Sequence, residues 1–266
     1  MNDTAYQAYD ENLMALLEAI WGEGFMSPGG TAEVDRYLAG IVLADRKVLD
    51  IGCGIGGVDL HLARSHGVAR VTGIDIEQEL IDRCRQLAEK YAVAGQTEFL
   101  RVDPGPLPFA DAVFDVVTSK DSIIHIEDKH ALAVDVFRVL EPGGWFAASD
   151  WLAGYEGETP PEMQAYIEVE GLDFRLASAA SYADALEAAG FVDIEIDDRN
   201  EWYRQEARQE RDSLKGALFE GLASRVGDEF LEREIEVWDK MIVAVDLGQL
   251  RPTHLRGRKP GDPRAR

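Results

Sequence analysis

The run Val48-Leu49-Asp50-Ile51-Gly52-Cys53-Gly54-Ile55-Gly56-Gly57 restricts the fold more than any other part of the chain. It reads as a buried strand that enters a turn of glycines, with a helix expected over 58–65. Glycines are needed there because the backbone must turn sharply and let a ligand approach where a Cβ would stand. Amides at the start of the following helix favour electron-rich ligand groups. The Gly-x-Gly-x-Gly spacing differs from the dinucleotide fingerprint Gly-x-Gly-x-x-Gly, and a carboxylate, Asp50, precedes the first glycine.

Further pieces follow in order. Arg70-Val71-Thr72-Gly73-Ile74-Asp75-Ile76 is a second apolar strand ending in an acid, 23 residues past Gly52. An acid at that place can accept both ribose hydroxyls of an adenosine. Phe99-Leu100-Arg101-Val102-Asp103 is a short third strand, and Phe114-Asp115-Val116-Val117-Thr118-Ser119 a fourth. Leu140-Glu141-Pro142-Gly143-Gly144-Trp145-Phe146 closes a helix, turns and starts a fifth. The series over about 45–150 resembles the motifs of class I S-adenosylmethionine (SAM) methyltransferases. The resemblance implies an α/β, Rossmann-like, doubly wound and mostly parallel seven-stranded sheet, with SAM as cofactor. It implies that Asp50, Gly52, Gly54, Asp75, Ile76 and Ser119 hold SAM, and that Asp103 meets the adenine amino group.

The rest of the chain fits one α/β unit with additions. A chain of 266 residues can bury a sizeable core. Residues 5–21 carry Leu13, Leu16, Leu17 and Ile20 on one helical face; a loop from Gly22 to Gly30 and a helix over 31–43 follow. Helices over 78–91 and 129–140 alternate with the strands, which implies right-handed crossovers. After Asp150 the rhythm changes to loop and helix, a helix over 183–189, a strand over 191–196, a charged helical stretch over 200–240 and a last strand near 248–256. The expected division is a helical lid at 1–44, a SAM-binding core at 45–150, and substrate-side insertions completing the same domain at 151–266.

Net charge is −23, which argues against nucleic acid as substrate, because phosphate backbones require a basic surface. The acidic, lysine-poor surface suits a salt-tolerant cytoplasm or simply reflects genome composition. No run of 18 apolar residues suggests a membrane span, and the N-terminus lacks a signal-peptide pattern, so the expected location is cytoplasmic. Cys53 and Cys84 offer neither metal spacing nor a disulfide, and the five histidines look unclustered, so no metal site is expected. A monomer and a homodimer are equally open.

For chemistry, the stretch Ser119-Lys120-Asp121-Ser122-Ile123-Ile124-His125 follows the fourth strand at the carboxyl edge of the sheet, where doubly wound folds bind ligands. Asp121 and His125 are four apart and share a face if the segment is helical, pairing a carboxylate with an imidazole as substrate binder and general base. The alternative is that His125 packs under a lid and Asp121 caps a helix.

A closer resemblance rests on that stretch and on Phe25-Met26-Ser27-Pro28-Gly29-Gly30. Both resemble motifs of the phosphoethanolamine N-methyltransferases, over about residues 9–196 and more weakly beyond. The resemblance implies that Met26 and Ser27 close over SAM. It implies that His125 is the base, that Tyr9 (or Tyr6, if the register slips) pairs with it, and that Asp121 contacts the amine. The family's phosphate ligands, two Tyr, an Arg and a Lys, fall here at Trp151, Leu172, Phe174 and Glu236, which remove donors and positive charge. A phosphate without cationic partners is strongly disfavoured in a buried site. Trp151, Phe174, Tyr9 and Tyr155 could instead line a pocket for a methylated ammonium, or serve as ordinary core. The same branch resembles the sarcosine and dimethylglycine methyltransferases; a carboxylate-bearing acceptor would need Arg175, Arg199 or Arg204 as donor.

The leading expectation is therefore a SAM-dependent N-methyltransferase of a small amine, with Trp151, Phe174 and Arg175 at the substrate. Methylation of oxygen, sulfur or carbon in a small metabolite is the second, and a non-catalytic SAM-binding regulator the third.

Overall fold

A computed structural model of the chain describes residues 10–261. Seven strands form one sheet: β1 (Lys47–Ile51), β2 (Arg70–Asp75), β3 (Thr97–Arg101), β4 (Phe114–Lys120), β5 (Leu140–Ala153), β6 (Val192–Asp198) and β7 (Leu250–Arg258). The spatial order is β3-β2-β1-β4-β5-β7-β6, and β7 alone runs antiparallel to its neighbours. The order reverses at β1 and β4, whose carboxyl ends open the crevice where this class of sheet binds ligands. Fold class, cofactor-type topology and every strand expected from the sequence are present. β5 runs on to Ala153, so Trp151 belongs to the strand and does not follow it.

The ten helices of the described residues fall into two groups. Helices α2 (Gly30–Tyr37), α3 (Gly57–Ser65), α4 (Gln78–Lys90), α5 (Lys129–Val139) and α7 (Ala179–Ala189) pack on the two faces of the sheet. Helices α1 (Glu11–Trp21), α6 (Pro161–Glu170), α8 (Asn200–Lys215), α9 (Phe219–Val226) and α10 (Asp228–Asp246) build a helical cap with its own apolar core. The charged stretch expected over 200–240 is thus three helices, separated around Gly216 and Gly227. Its apolar stripe, which includes Leu231, Ile235, Trp238, Met241, Ile242 and Val245, is buried in that cap core. α2 stops at Tyr37, short of the expected 31–43, and the chain turns at Gly40 (φ 83°).

α1 begins where Asp10 accepts a hydrogen bond from the Leu13 N–H at 2.8 Å, and it buries Leu16 and Leu17 in the cap. Tyr9 and Tyr6 lie outside the described residues. Among the described residues, no helix is long and apolar enough to cross a membrane. The histidines are not all scattered: His61 and His66 meet Asp35 from α2.

Candidate active site

The crevice is built first by the glycine turn. Gly52, Gly54 and Gly56 hold φ of 70°, 53° and 88°, where a side chain is strained. A Cβ on Gly52 would stand 1.7 Å from the Ser122 hydroxyl, so the turn presses directly against the segment after β4. A Cβ on Gly57 would meet the Gly24 carbonyl at 2.4 Å, so the N-terminal loop lies on the start of α3. Asp75 accepts from the Gly54 N–H at 3.0 Å and from the Glu77 N–H at 3.0 Å, locking the turn to the end of β2.

Beneath the turn, Asp50 and Asp59 are both fully buried. Burial pushes both carboxyls well above the usual range, and for Asp50 the neighbouring charge of Asp59 adds to it. Asp50 Oδ1 has no hydrogen-bond partner and belongs to the wall of a cavity shared with Gly52, Gly54, Met26, Ser27 and Lys120. Among the described residues, Asp50 faces the Asp59 carboxyl with no cation between them, so an ammonium entering beside the glycine cradle would supply the missing donor and counter-charge, and the residues present fit a cofactor with an amino group such as SAM. Asp75 keeps free lone pairs for hydroxyls. Ile76 is 50% exposed beside it, and Asp103 is exposed and paired with Arg101 at 2.5 Å; these stand on the open rim at the ends of β2 and β3.

Ser119, expected among the residues that hold SAM, is fully buried, and its hydroxyl donates to the Ile51 carbonyl at 2.7 Å, tying β4 to β1. Its neighbour Lys120, unassigned from the sequence, lines the cavity under the turn. The Lys120 ammonium donates to Ser27 Oγ at 2.8 Å, to the Pro28 carbonyl at 2.8 Å and to Asp121 Oδ2 at 2.7 Å. It fastens the loop of Met26 and Ser27 over the end of β4. That loop contributes to both cavities of the crevice.

The second cavity, about 740 Å³ with its mouth, lies between the sheet edge and the helical cap. Asp121 and His125 both line it, although not as helical neighbours. Asp121 sits at φ 56°, a left-handed conformation unusual for aspartate, and the only helical turn is the short Ile123–His125. Asp121 accepts from Lys120 and from Ser149 Oγ at 3.1 Å. The His125 turn is held from below: Lys129 donates to the Ile123 carbonyl at 2.6 Å, and Asp150 accepts from the Ile124 N–H at 3.1 Å. Burial pushes Asp150 up to about 7 and holds Lys129 down at about 8. His125 Nδ1 lies 3.0 Å from the Asp173 carbonyl. In the neutral ring that contact selects the Nδ1–H tautomer, which leaves Nε2 as the basic atom.

Trp151, Leu172 and Phe174 line the same cavity, and the Phe174 ring lies 5.9 Å from His125. Trp151 packs edge-on against Tyr203 at 4.9 Å. Arg175 does not join them; its guanidinium pairs with Asp173 at 2.8 Å on the surface. Arg199 is bound to Glu33 at 2.9 Å and Arg204 to Asp246 at 3.1 Å. Tyr155 and Glu236 are also absent from the lining; the late-helix residues that reach the cavity are Glu234, Val237, Trp238 and Met241, at helical spacing. Glu170, at the end of α6, joins Glu234 there, and burial plus the Glu234 charge push it up to about 7. Three neutral donors fix the aromatic wall on buried Glu210: Trp21 Nε1 at 2.6 Å, Tyr203 OH at 3.0 Å and Trp238 Nε1 at 3.1 Å. Among the described residues, the charged groups of the lining are carboxylates, with His125 as the only base and no Lys or Arg.

Residues 49–148 match a protein family described as a methyltransferase domain. The chain is 33% identical over 222 residues to phosphoethanolamine N-methyltransferase 1 of Arabidopsis thaliana, covering 80% of this chain and 44% of that protein. The chain thus spans less than half the length of that relative. It is 30% identical over 244 residues to the O-methyltransferase cnsE of Penicillium expansum, covering 87% of this chain and 84% of that one. In structure it is similar to phosphoethanolamine N-methyltransferase 2 of Haemonchus contortus, solved with phosphomonomethylethanolamine and S-adenosylhomocysteine. That match has a TM-score of 0.88 at 23% identity, over 96% of this chain and 59% of the other.

Proposed function

This chain belongs to the class I SAM-dependent methyltransferases, and on that premise we propose that it methylates the nitrogen of a small cationic amine that carries no phosphate. The observation that carries the proposal is the charge of the acceptor cavity. Asp121, already paired with Lys120 behind it, lines it with Glu170, Glu234 and the rings of Trp151, Tyr166 and Phe174, and among the described residues no Lys or Arg side chain reaches the lining. Such walls favour an ammonium by charge and by cation–π attraction, and disfavour phosphate. Within this reading, Asp121 holds the amine and His125 Nε2 takes its proton, which their shared cavity supports. Met26 and Ser27 cover the donor, and Asp50, Gly52, Gly54, Asp75, Ile76 and Asp103 hold it, with Trp151 and Phe174 shaping the acceptor end.

SAM supplies an electrophilic sulfonium methyl group. An amine attacks only through a free lone pair, so the residue that accepts its proton sets the reactive fraction. A base locked as the Nδ1–H tautomer by the Asp173 carbonyl has Nε2 ready for that proton. The cap helices and the Lys120-fastened loop keep the reactants aligned and water out.

Methylation of oxygen is the second reading. It is favoured by the resemblance to an O-methyltransferase over most of both chains and by the apolar cavity wall from Leu13, Leu17 and Trp21. A phenolic acceptor would use His125 in the same way. Mass spectrometry of products from SAM with small amines, phosphoethanolamine, phenols and thiols separates these readings. A methylated amine and unmodified phosphoethanolamine are expected; methylated phosphoethanolamine or exclusive phenol methylation would overturn the proposal.

A further inference from the structure

Away from the crevice, three potential metal ligands converge from two helices. His61 lies within α3, His66 follows its last turn, and Asp35 lies on α2. His61 Nε2 is 2.7 Å and His66 Nε2 2.8 Å from the same oxygen, Asp35 Oδ1, and the two nitrogens are 3.3 Å apart. None of the three lines either cavity of the active site. Two imidazoles crossed edge to face at 80° aim their Nε2 atoms at one point beside a carboxylate. A triangle of this size has a point, off its plane, about 2.0–2.1 Å from every corner, which is the zinc–nitrogen and zinc–oxygen bond length.

We propose that Asp35, His61 and His66 form a binding site for a divalent transition metal such as zinc. Neutral imidazole and carboxylate suit zinc, cobalt and nickel better than calcium or magnesium, which prefer all-oxygen shells. The His61 side chain is 12% exposed, His66 27% and Asp35 51%, so the open side faces solvent, where water can join and the exposed Asp35 carboxylate can swing outward to widen its angles to the two nitrogens toward tetrahedral. The end of α3 also carries the negative pole of its helix dipole, which favours a cation there. Bound metal would clip α2 to α3. These helices lead from the loop that covers the cofactor and from the glycine turn, so the clip would brace the donor side without entering it.

The test is titration of the full chain with zinc chloride by calorimetry, with the absorption of bound cobalt(II) as a second readout. The structure predicts one saturable site, a tetrahedral-type cobalt spectrum and a rise in melting temperature with one equivalent of zinc. Asp35→Asn alters an exposed side chain and His66→Ala a half-buried one, and each should weaken zinc binding by about tenfold or more and remove the thermal shift. His130→Ala, on exposed α5 surface, should leave zinc binding unchanged. No saturable binding, or binding equally strong in Asp35→Asn and His66→Ala, would overturn the proposal.

Discussion

The ammonium of Lys120 lies 2.7 Å from the carboxylate of Asp121, and the two side chains are only 4% and 5% exposed. One ion pair therefore joins the loop over the cofactor to the proposed amine anchor, because the same ammonium also binds Ser27 and Pro28. The pair thus connects the Met26–Ser27 loop to the wall of the larger cavity.

Lys120→Met should break this joint. Removing one partner of a buried pair leaves the other uncompensated, at a cost of about 3–5 kcal/mol. The expected outcome is a lower melting temperature together with raised KM for both SAM and acceptor. Adding Asp121→Asn should recover much of the stability and none of the turnover. Denaturation and steady-state kinetics on the two variants check this.

Gly52→Ala should fail for a local reason. Its Cβ would stand 1.7 Å from Ser122 Oγ and 2.4 Å from Ser122 Cβ, at a φ of 70°. SAM affinity should fall by about 100-fold or more, consistent with a clash beyond the roughly 1–2 kcal/mol of left-handed strain. Gly52→Ala with Ser122→Gly removes both clashing atoms, and it should regain part of the lost affinity in a calorimetric titration.

Glu170 links stability to substrate. Its carboxyl ionises near 7 in the fold, above its ordinary 4.5, because burial and Glu234 oppose the charge. Between those values the folded state binds more protons than the unfolded one, so this residue's contribution to stability is full below 4.5 and lost as pH rises through 7. Glu170→Gln should therefore flatten the decline in melting temperature between pH 5 and 8 by about a few degrees. The same variant should raise the acceptor KM about tenfold and leave SAM binding alone. A substitution that lowers KM for the amine would contradict the role assigned to this carboxylate.

The sheet was legible from the sequence because it is written locally. Apolar runs ending at Asp50, Asp75 and Asp103, and glycines at fixed spacing, are each visible within ten residues. The cavity was legible only in part. Trp151, Leu172, Phe174, Asp121 and His125, all singled out in the sequence, line one cavity. Glu236, matched by resemblance to the family's late-helix Lys, is absent from the lining, whereas Glu234, two residues earlier on the opposite helix face, is present. Arg175 was expected at the substrate, but its neighbour Asp173 holds it at the surface. Lys120, Lys129, Asp150 and Glu210 went unassigned because their partners lie on other elements: Ser27 is 93 residues from Lys120, and Trp21 is 189 from Glu210. Asp35 and the two histidines are likewise joined only by helix packing.

The most direct measurement is turnover of a small amine by His125→Ala beside its SAM affinity. His125 borders the acceptor cavity, and it is absent from the cavity under the glycine turn. If Nε2 takes the amine proton, kcat should fall by about 100- to 10,000-fold, with the SAM Kd within about twofold of the unaltered chain. The loss should shrink as pH rises and the amine deprotonates in solution. An unchanged kcat, or a fall explained entirely by lost SAM binding, would contradict the account.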